Sequence, residues 1–335
     1  MAATLKDVAA LAGVSRSAVS RTYTKGASVS AKTREKVQRA ADNLGYRPNA
    51  LASSLTTGRT KMIGLVSNNF HNPIFLQVFD LFTKSLQERG LRPLLVNLTD
   101  ETDPQNSVQM LRQYSVDGVI VASSTLPESF AEAFRTAGMP VVHSFGRHVV
   151  KPKVNILGID NIQAGRLAAE TLVARGYRSV AFLGGPKAAT STQDRMSGFL
   201  TALKDHPDVT VTTSFARQYA FDAGRSEMLR LINEGPLAEA YFCGDDVLSI
   251  GALSALTSQG IKTPDDVGII GLNDMEMAGW DNINLTTIHN PIAQIISSSV
   301  DSVADLVADH TLSPQAQLFA CHIVERGTLR PILRF

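Results

Sequence analysis

Four residues near the start of the chain, Arg16, Ser17, Ser20 and Arg21, are of the types that read nucleic-acid bases. Arginine pairs bidentately with the O6 and N7 edge of guanine, and serine donates or accepts according to what it meets. Around them lie residues suited to phosphate oxygens: Lys6, Lys25, Lys32, Thr33 and Arg34. The charge distribution agrees. Residues 1–59 hold ten Lys/Arg against three Asp/Glu, whereas the remainder holds 22 against 28. A basic head on a mildly acidic body fits a polyanion partner at one end only.

Other chemistries are poorly supported. Gly184-Gly185-Pro186 lacks the dinucleotide fingerprint, and neither a GxxxxGK phosphate loop nor a GxSxG elbow occurs. His143 and His148 are five residues apart, the wrong spacing for one face of a helix, and Cys243 and Cys321 give no metal spacing. The sequence therefore argues against an enzyme and predicts no metal and no cofactor. The cysteines read as reduced thiols of a cytoplasmic protein. No apolar run is long enough for a membrane span, and the amphipathic N-terminus does not read as a secretory signal.

Elements must position the base-reading residues. Thr4 and Asp7 form a capping-box pattern ahead of Leu5, Val8, Ala9, Leu11 and Ala12, whose spacing is helical. Gly13 supplies a left-handed turn. Ser15 can cap a second helix with Ala18, Val19 and either Thr22 or Tyr23 inward. Ser30 can cap a third, with Val37, Ala40, Ala41 and Leu44 inward and Gly45 as its stop. Helix, glycine turn and helix make a helix-turn-helix, which places Arg16 to Arg21 at the major groove. Pro48 then breaks the chain, and ALASSL offers two turns of helix, too short to hold alone.

From Lys61 onward the pattern alternates. MIGLV, PLLVN, GVIVA, VVHSF, SVAFLG, TVTTSF, EAYFCG and VGIIGL read as strands, each followed by a helix-length segment. This predicts parallel sheets covered on both faces, and the length predicts two doubly wound subdomains with a cleft beyond the strand ends.

The stretch TLKDVAALAGVSRSAVSRTYT, followed by VSAKTREKVQRAADNLGYRPNALASSL, closely resembles the DNA-binding head of the lac repressor/galactose repressor family, and LTTIHNP matches it far downstream. The resemblance implies a helix-turn-helix head (1–47), a hinge helix (48–59) and a periplasmic-binding-protein-like effector and dimerisation domain (60–335). Within that domain it implies an N-subdomain of about 60–160 and 291–319 and a C-subdomain of about 161–290 and 320–335. By the resemblance, Leu55 is a minor-groove wedge and Ala52 a groove contact. The implied effector-binding residues are Phe70, Asn72, Phe75, Ser123, Ser124, Asp160, Arg195, Asp245, Asn273 and Asn290. Asn273 stands where many members have Asp, so no particular sugar carries over.

The expected function is that of a repressor. It binds a near-palindromic operator as a homodimer, and a small sugar, sugar acid or polyol switches it. The alternatives are a purine- or nucleoside-responsive co-repressed regulator and an activator of the same family. A secreted binding protein of the same fold fits neither the head nor the N-terminus. The chain lacks the heptad tail of tetrameric members, which makes a dimer the default.

Overall fold

The computed structural model describes residues 3–24, 26–49, 54, 58–98 and 103–332. Lys25, Ala52 and Leu55, expected to contact phosphate and the minor groove, lie outside these described residues, as does most of the hinge. The chain forms two compact units, Met1–Lys61 and Met62–Phe335.

The first unit holds α1 (Leu5–Ala12), α2 (Arg16–Tyr23) and α3 (Ala31–Asn43). Its capping follows the sequence closely. Thr4 and Asp7 cap α1 reciprocally, the Ser15 hydroxyl accepts from Ala18 N, and the Ser30 hydroxyl accepts from Thr33 N. Gly13 and Gly45 take φ of 64° and 60°. At both, the next residue's N–H returns to a carbonyl five positions back, Val14 to Ala9 and Tyr46 to Ala41, which satisfies the helix ends. The small core is Val8, Ala9, Val19, Val37, Ala40, Ala41 and Tyr46. Two expected core leucines are outside it: Leu11 is 54% exposed and Leu44 is 38% exposed. For Leu44 the reason is the reversal at Gly45. It turns Tyr46 back onto the bundle, where it fills the space that Leu44 was expected to fill. Tyr23 also stays largely outside, with its ring 6.2 Å from that of Tyr46, while Thr22 is buried.

The second unit has two six-stranded sheets. The first comprises β1 (Met62–Ser67), β2 (Arg92–Asn97), β3 (Gly118–Ala122), β4 (Val141–Ser144), β5 (Asn155–Ile159) and β11 (Ala316–Phe319), in the order β11-β5-β4-β3-β1-β2. The second comprises β6 (Ser179–Gly184), β7 (Thr210–Phe215), β8 (Ala240–Cys243), β9 (Gly268–Asn273), β10 (Thr287–His289) and β12 (His322–Val324), in the order β12-β10-β9-β8-β6-β7. Every pairing is parallel except that of β10 with β12. All eight expected strands form. Four others form as well, β5, β10, β11 and β12; β11 and β12 lie at sheet edges with little burial to advertise them.

Helices α4 (Ile74–Glu88), α5 (Gln105–Gln113), α6 (Glu128–Thr136) and α11 (Ile292–Ala308) accompany the first sheet. Helices α7 (Asn161–Val173), α8 (Thr190–Leu203), α9 (Phe221–Glu234) and α10 (Asp246–Ser258) accompany the second. Strand side chains alternate between faces. Ile63 and Leu65 join a core with Phe82 and Ile120, while Val66 joins the opposite core with Leu111, Val121 and Phe134.

One packing detail positions the site. A Cβ on Gly165 of α7 would lie 2.0 Å from Arg195 O, and one on Gly198 of α8 would lie 1.9 Å from Ile162 O. Only glycine permits this backbone-to-backbone approach, and it brings the N-terminal part of α7 against the middle of α8.

Candidate functional site

In the first unit, Ser15 starts α2 at Arg16, so Arg16, Ser17 and Arg21 project from its exposed side and Ser20 is half-buried. The Arg21 guanidinium bends back to Ser17 O at 3.4 Å, a long contact that a stronger acceptor would replace. Lys6 and Lys32 are exposed on α1 and α3. Thr33 is engaged in the α3 cap, its hydroxyl accepting from Ser30 at 2.9 Å. Arg34 donates to Thr22 O at 2.9 Å, tying α3 to the end of α2. The residue as a whole stays exposed, so this contact does not withdraw it from the surface.

In the second unit, the carboxyl ends of β1, β8 and β9 converge on a small polar pocket of about 40 Å3. Asp245 is at its centre. It follows β8 and caps α10, accepting from Val247 N at 2.8 Å. Its other oxygen accepts from Asn72 Nδ2 at 3.0 Å and Asn273 Nδ2 at 2.9 Å. Burial pushes the Asp245 carboxyl up to about 6, against the opposing pull of these N–H donors and of Arg195. Asn290 donates to Asn273 Oδ1 at 3.1 Å, while its own buried Oδ1 has no partner among the described residues. Asn273 and the following Asp274 take φ of 123° and 57°, a strained backbone that turns the end of β9 into the pocket.

Arg195 reaches the pocket from the first turns of α8. Its Nε donates to Asn161 Oδ1 at 2.8 Å and its Nη1 to Gly244 O. The α7–α8 glycine contact thus holds the guanidinium in place through Asn161. Phe75 and Ser124 complete the expected residues that line this pocket.

Three others fall elsewhere. Asp160 is exposed and caps α7, accepting from Gln163 N at 3.0 Å; its neighbour Asn161 holds the arginine instead. Ser123 is fully buried, and its hydroxyl binds Asn68 Oδ1 at 2.8 Å and the turn that follows β3. Phe70 packs on Phe79, with centroids 4.8 Å apart, and faces a separate outer chamber. Sequence reasoning missed Asn69, Phe145, Ile292 and Asn161. It also missed Asp246, fully buried behind the pocket. Burial pushes that carboxyl up to about 7, although Thr287 and Met275 N donate to it. The paired Asp-Asp after a strand was the available signal; a buried acid that supports rather than lines a site leaves no other mark.

The pocket spans two subdomains, and both sides grip each other. Besides Asn72–Asp245, Thr190 Oγ1 donates to Ser124 O at 3.0 Å and Ser191 N donates to the same oxygen at 3.2 Å. Arg147, after β4, makes a bidentate pair with Asp194 of α8 at 2.8 and 2.7 Å. The cleft is closed, with room for about one water where a sugar would need more. Asn72, Asp245, Asn273 and Arg195 in its lining are already hydrogen-bonded within the protein. Among the described residues, no group of three or more His, Cys, Asp or Glu is placed to hold a metal ion, and no helix is long and apolar enough to cross a membrane.

Comparison with known proteins adds identity to this geometry. Residues 4–49 match the model of bacterial regulatory proteins of the lacI family. Residues 60–318 match the model of periplasmic binding proteins and the sugar-binding domain of the LacI family. The HTH-type transcriptional repressor PurR of Proteus mirabilis is 31% identical over 334 residues, covering 98% of this chain and 97% of the relative. Its namesake from Photorhabdus laumondii is equally similar. A crystal structure of the lac repressor dimer bound to operator and the anti-inducer ONPF superposes with a TM-score of 0.87 at 26% identity, covering 98% of this chain and 99% of that one. The transcriptional regulator CelR in complex with cellobiose gives a TM-score of 0.72 at 28% identity, covering 97% and 99%. These relatives are transcriptional regulators. The chain belongs to the LacI family and is a transcriptional repressor in which a helix-turn-helix head precedes a ligand-binding effector domain.

Proposed function

We propose that the protein binds a near-palindromic operator as a homodimer in the cytoplasm, and that a polyhydroxylated ligand in the cleft sets its operator affinity. In this reading residues 1–47 recognise DNA, residues 48–59 form the hinge, and the cleft lies between subdomains 60–160 with 291–319 and 161–290 with 320–335. Arg16, Ser17, Ser20 and Arg21 meet bases, and Lys6, Lys25, Lys32, Thr33 and Arg34 meet phosphates. Ala52 and Leu55 enter the minor groove. Asn72, Phe75, Ser124, Arg195, Asp245, Asn273 and Asn290 hold the ligand.

One observation carries this reading: the hydrogen bond from Asn72 to Asp245, made across the cleft at the centre of the pocket. A ligand hydroxyl that accepts from Asn72 and donates to Asp245 replaces that bond at little net cost. It also changes the separation of the two subdomains. Differential affinity for the two separations is what couples ligand to DNA. The lac repressor structure, a dimer on operator, and CelR with cellobiose support the dimer and the ligand class by analogy. Asp245 has its oxygens committed to Val247, Asn72 and Asn273, which suits it to binding and not to catalysis.

The test is anisotropy on labelled operator with a panel of sugars and polyols. An active ligand shifts operator affinity in wild type and loses that effect in Asn72→Ala. A response that persists unchanged in Asn72→Ala sinks the assignment of the cleft.

A further inference from the structure

A larger chamber, about 570 Å3, opens beside the closed pocket, and Asn69 lines both. Phe70 and His71 form one wall; Ala189, Arg217 and Tyr219 form the opposite one. The walls are firmly held. Phe70 is backed by Phe79, and the Tyr219 hydroxyl is fixed on Thr192 at 2.6 Å.

Among the described residues its charge is one-sided. The lining contains an arginine and a histidine and, among the described residues, no carboxylate. Arg217 is exposed and has no ion-pair partner among the described residues. This sets it apart from Arg147 and Arg175, which are paired with Asp194 and Glu325. The lining also includes Pro127 and Ala189, which precede α6 and α8 without a side-chain cap, and Tyr219, two residues before α9. Helix N-termini add partial positive charge in the same direction. The first-turn carboxylates Glu128 and Asp222 do not line the chamber, and Glu128 is engaged by Lys153 N at 2.6 Å.

The inner pocket has the opposite character. A buried carboxylate, Asp245, sits at its centre, and Arg195 is already committed to Asn161 and Gly244. An anionic group placed there would face Asp245, whereas neutral hydroxyls would exchange with the existing hydrogen bonds. We infer that the ligand is an anionic sugar, phosphorylated or carboxylated. Its hydroxylated ring enters between Asn72 and Asp245 as the cleft opens, and its charged group occupies the outer chamber on Arg217. This rests on the cleft being the ligand site.

Matched pairs test it on the full-length protein: glucose against glucose 6-phosphate, and galactose against galacturonate, with cellobiose as a long neutral probe. Operator anisotropy and thermal shift are read for each at low and high salt. The charged member of at least one pair is expected to bind about tenfold or more tightly than its neutral partner. That advantage shrinks as salt rises. Arg217→Ala removes the discrimination, and Arg217→Lys restores part of it. Equal or stronger responses to the neutral sugars overturn the inference and leave the cleft reading standing. Discrimination that survives in Arg217→Ala also overturns it. If no probe changes operator affinity or melting temperature, this inference and the sugar-type reading of the cleft fall together.

Discussion

Two residues illustrate how burial and exposure divide the chemistry. Arg195 is almost fully buried and held at two of its nitrogens before any ligand arrives, so its position costs nothing at the moment of binding. Arg195→Ala is expected to abolish the ligand response of operator binding while the unliganded protein still binds operator; anisotropy with and without ligand measures both. Arg16 is exposed at the start of α2. Arg16→Ala should cost about 1–3 kcal/mol on the preferred operator and relax base preference at one position per half-site. Equal losses on all operator variants would reduce Arg16 to a phosphate contact. Asp245 supplies a pH signature. Its carboxyl is raised to about 6 in the folded protein from a reference of 3.8. The folded state therefore holds a proton that the unfolded state has released, and stability falls as pH rises from about 4 to about 6. Relative to Asp245→Asn, which carries no such charge, the wild type should lose stability across that window. Urea midpoints of the two proteins at several pH values give the comparison.

At the scale of elements, caps and close approaches do the positioning. Ser15 fixes where α2 begins and hence which side chains project from it. Losing such a cap costs about 1 kcal/mol, a large fraction of the stability of a three-helix unit with so small a core. The α7–α8 pair positions Arg195 through Gly165 and Gly198. Gly198→Ala places a methyl against Ile162 O and must part the helices, at a cost of about 1–3 kcal/mol. The expected result is a lower denaturation midpoint together with a weakened ligand response, because Asn161 and Arg195 separate. A variant with full ligand response would show that the helix contact serves stability alone. These glycines were not legible beforehand. A glycine inside a helical pattern says only that something comes close, and the partner lies thirty or more residues away on another helix.

At the scale of the molecule, the closed cleft and the division of charge set the behaviour. The bidentate Arg147–Asp194 pair joins the two sides while remaining partly exposed, and a pair of this kind contributes about 1 kcal/mol or less after screening. Arg147→Ala should favour opening, so ligand association becomes faster, as stopped-flow fluorescence would record. An unchanged association rate would mean that opening does not limit entry. The basic head on an acidic body predicts strong salt dependence of operator binding. Lys32→Ala should weaken every DNA sequence alike and reduce the slope of log affinity against log salt by about one, read from titrations at several salt concentrations.

What the sequence determined by itself is what short spacing encodes. The capping box at Thr4, the cap at Ser30, the turn glycines and the eight expected strands each depend on residues within a few positions of one another, so the helix-turn-helix and the doubly wound sheets were readable. Tertiary structure decided what depends on distant partners. Leu44 lost its core place to Tyr46 because the chain reverses at Gly45. Asp160 became a cap and Asn161 the support for Arg195 because the start of α7 packs against the middle of α8. Asn72 and Asp245, 173 positions apart, became partners only because two sheets present their carboxyl edges to one cleft. Local patterns carry no term for such meetings; they follow from how the packed layers close against each other.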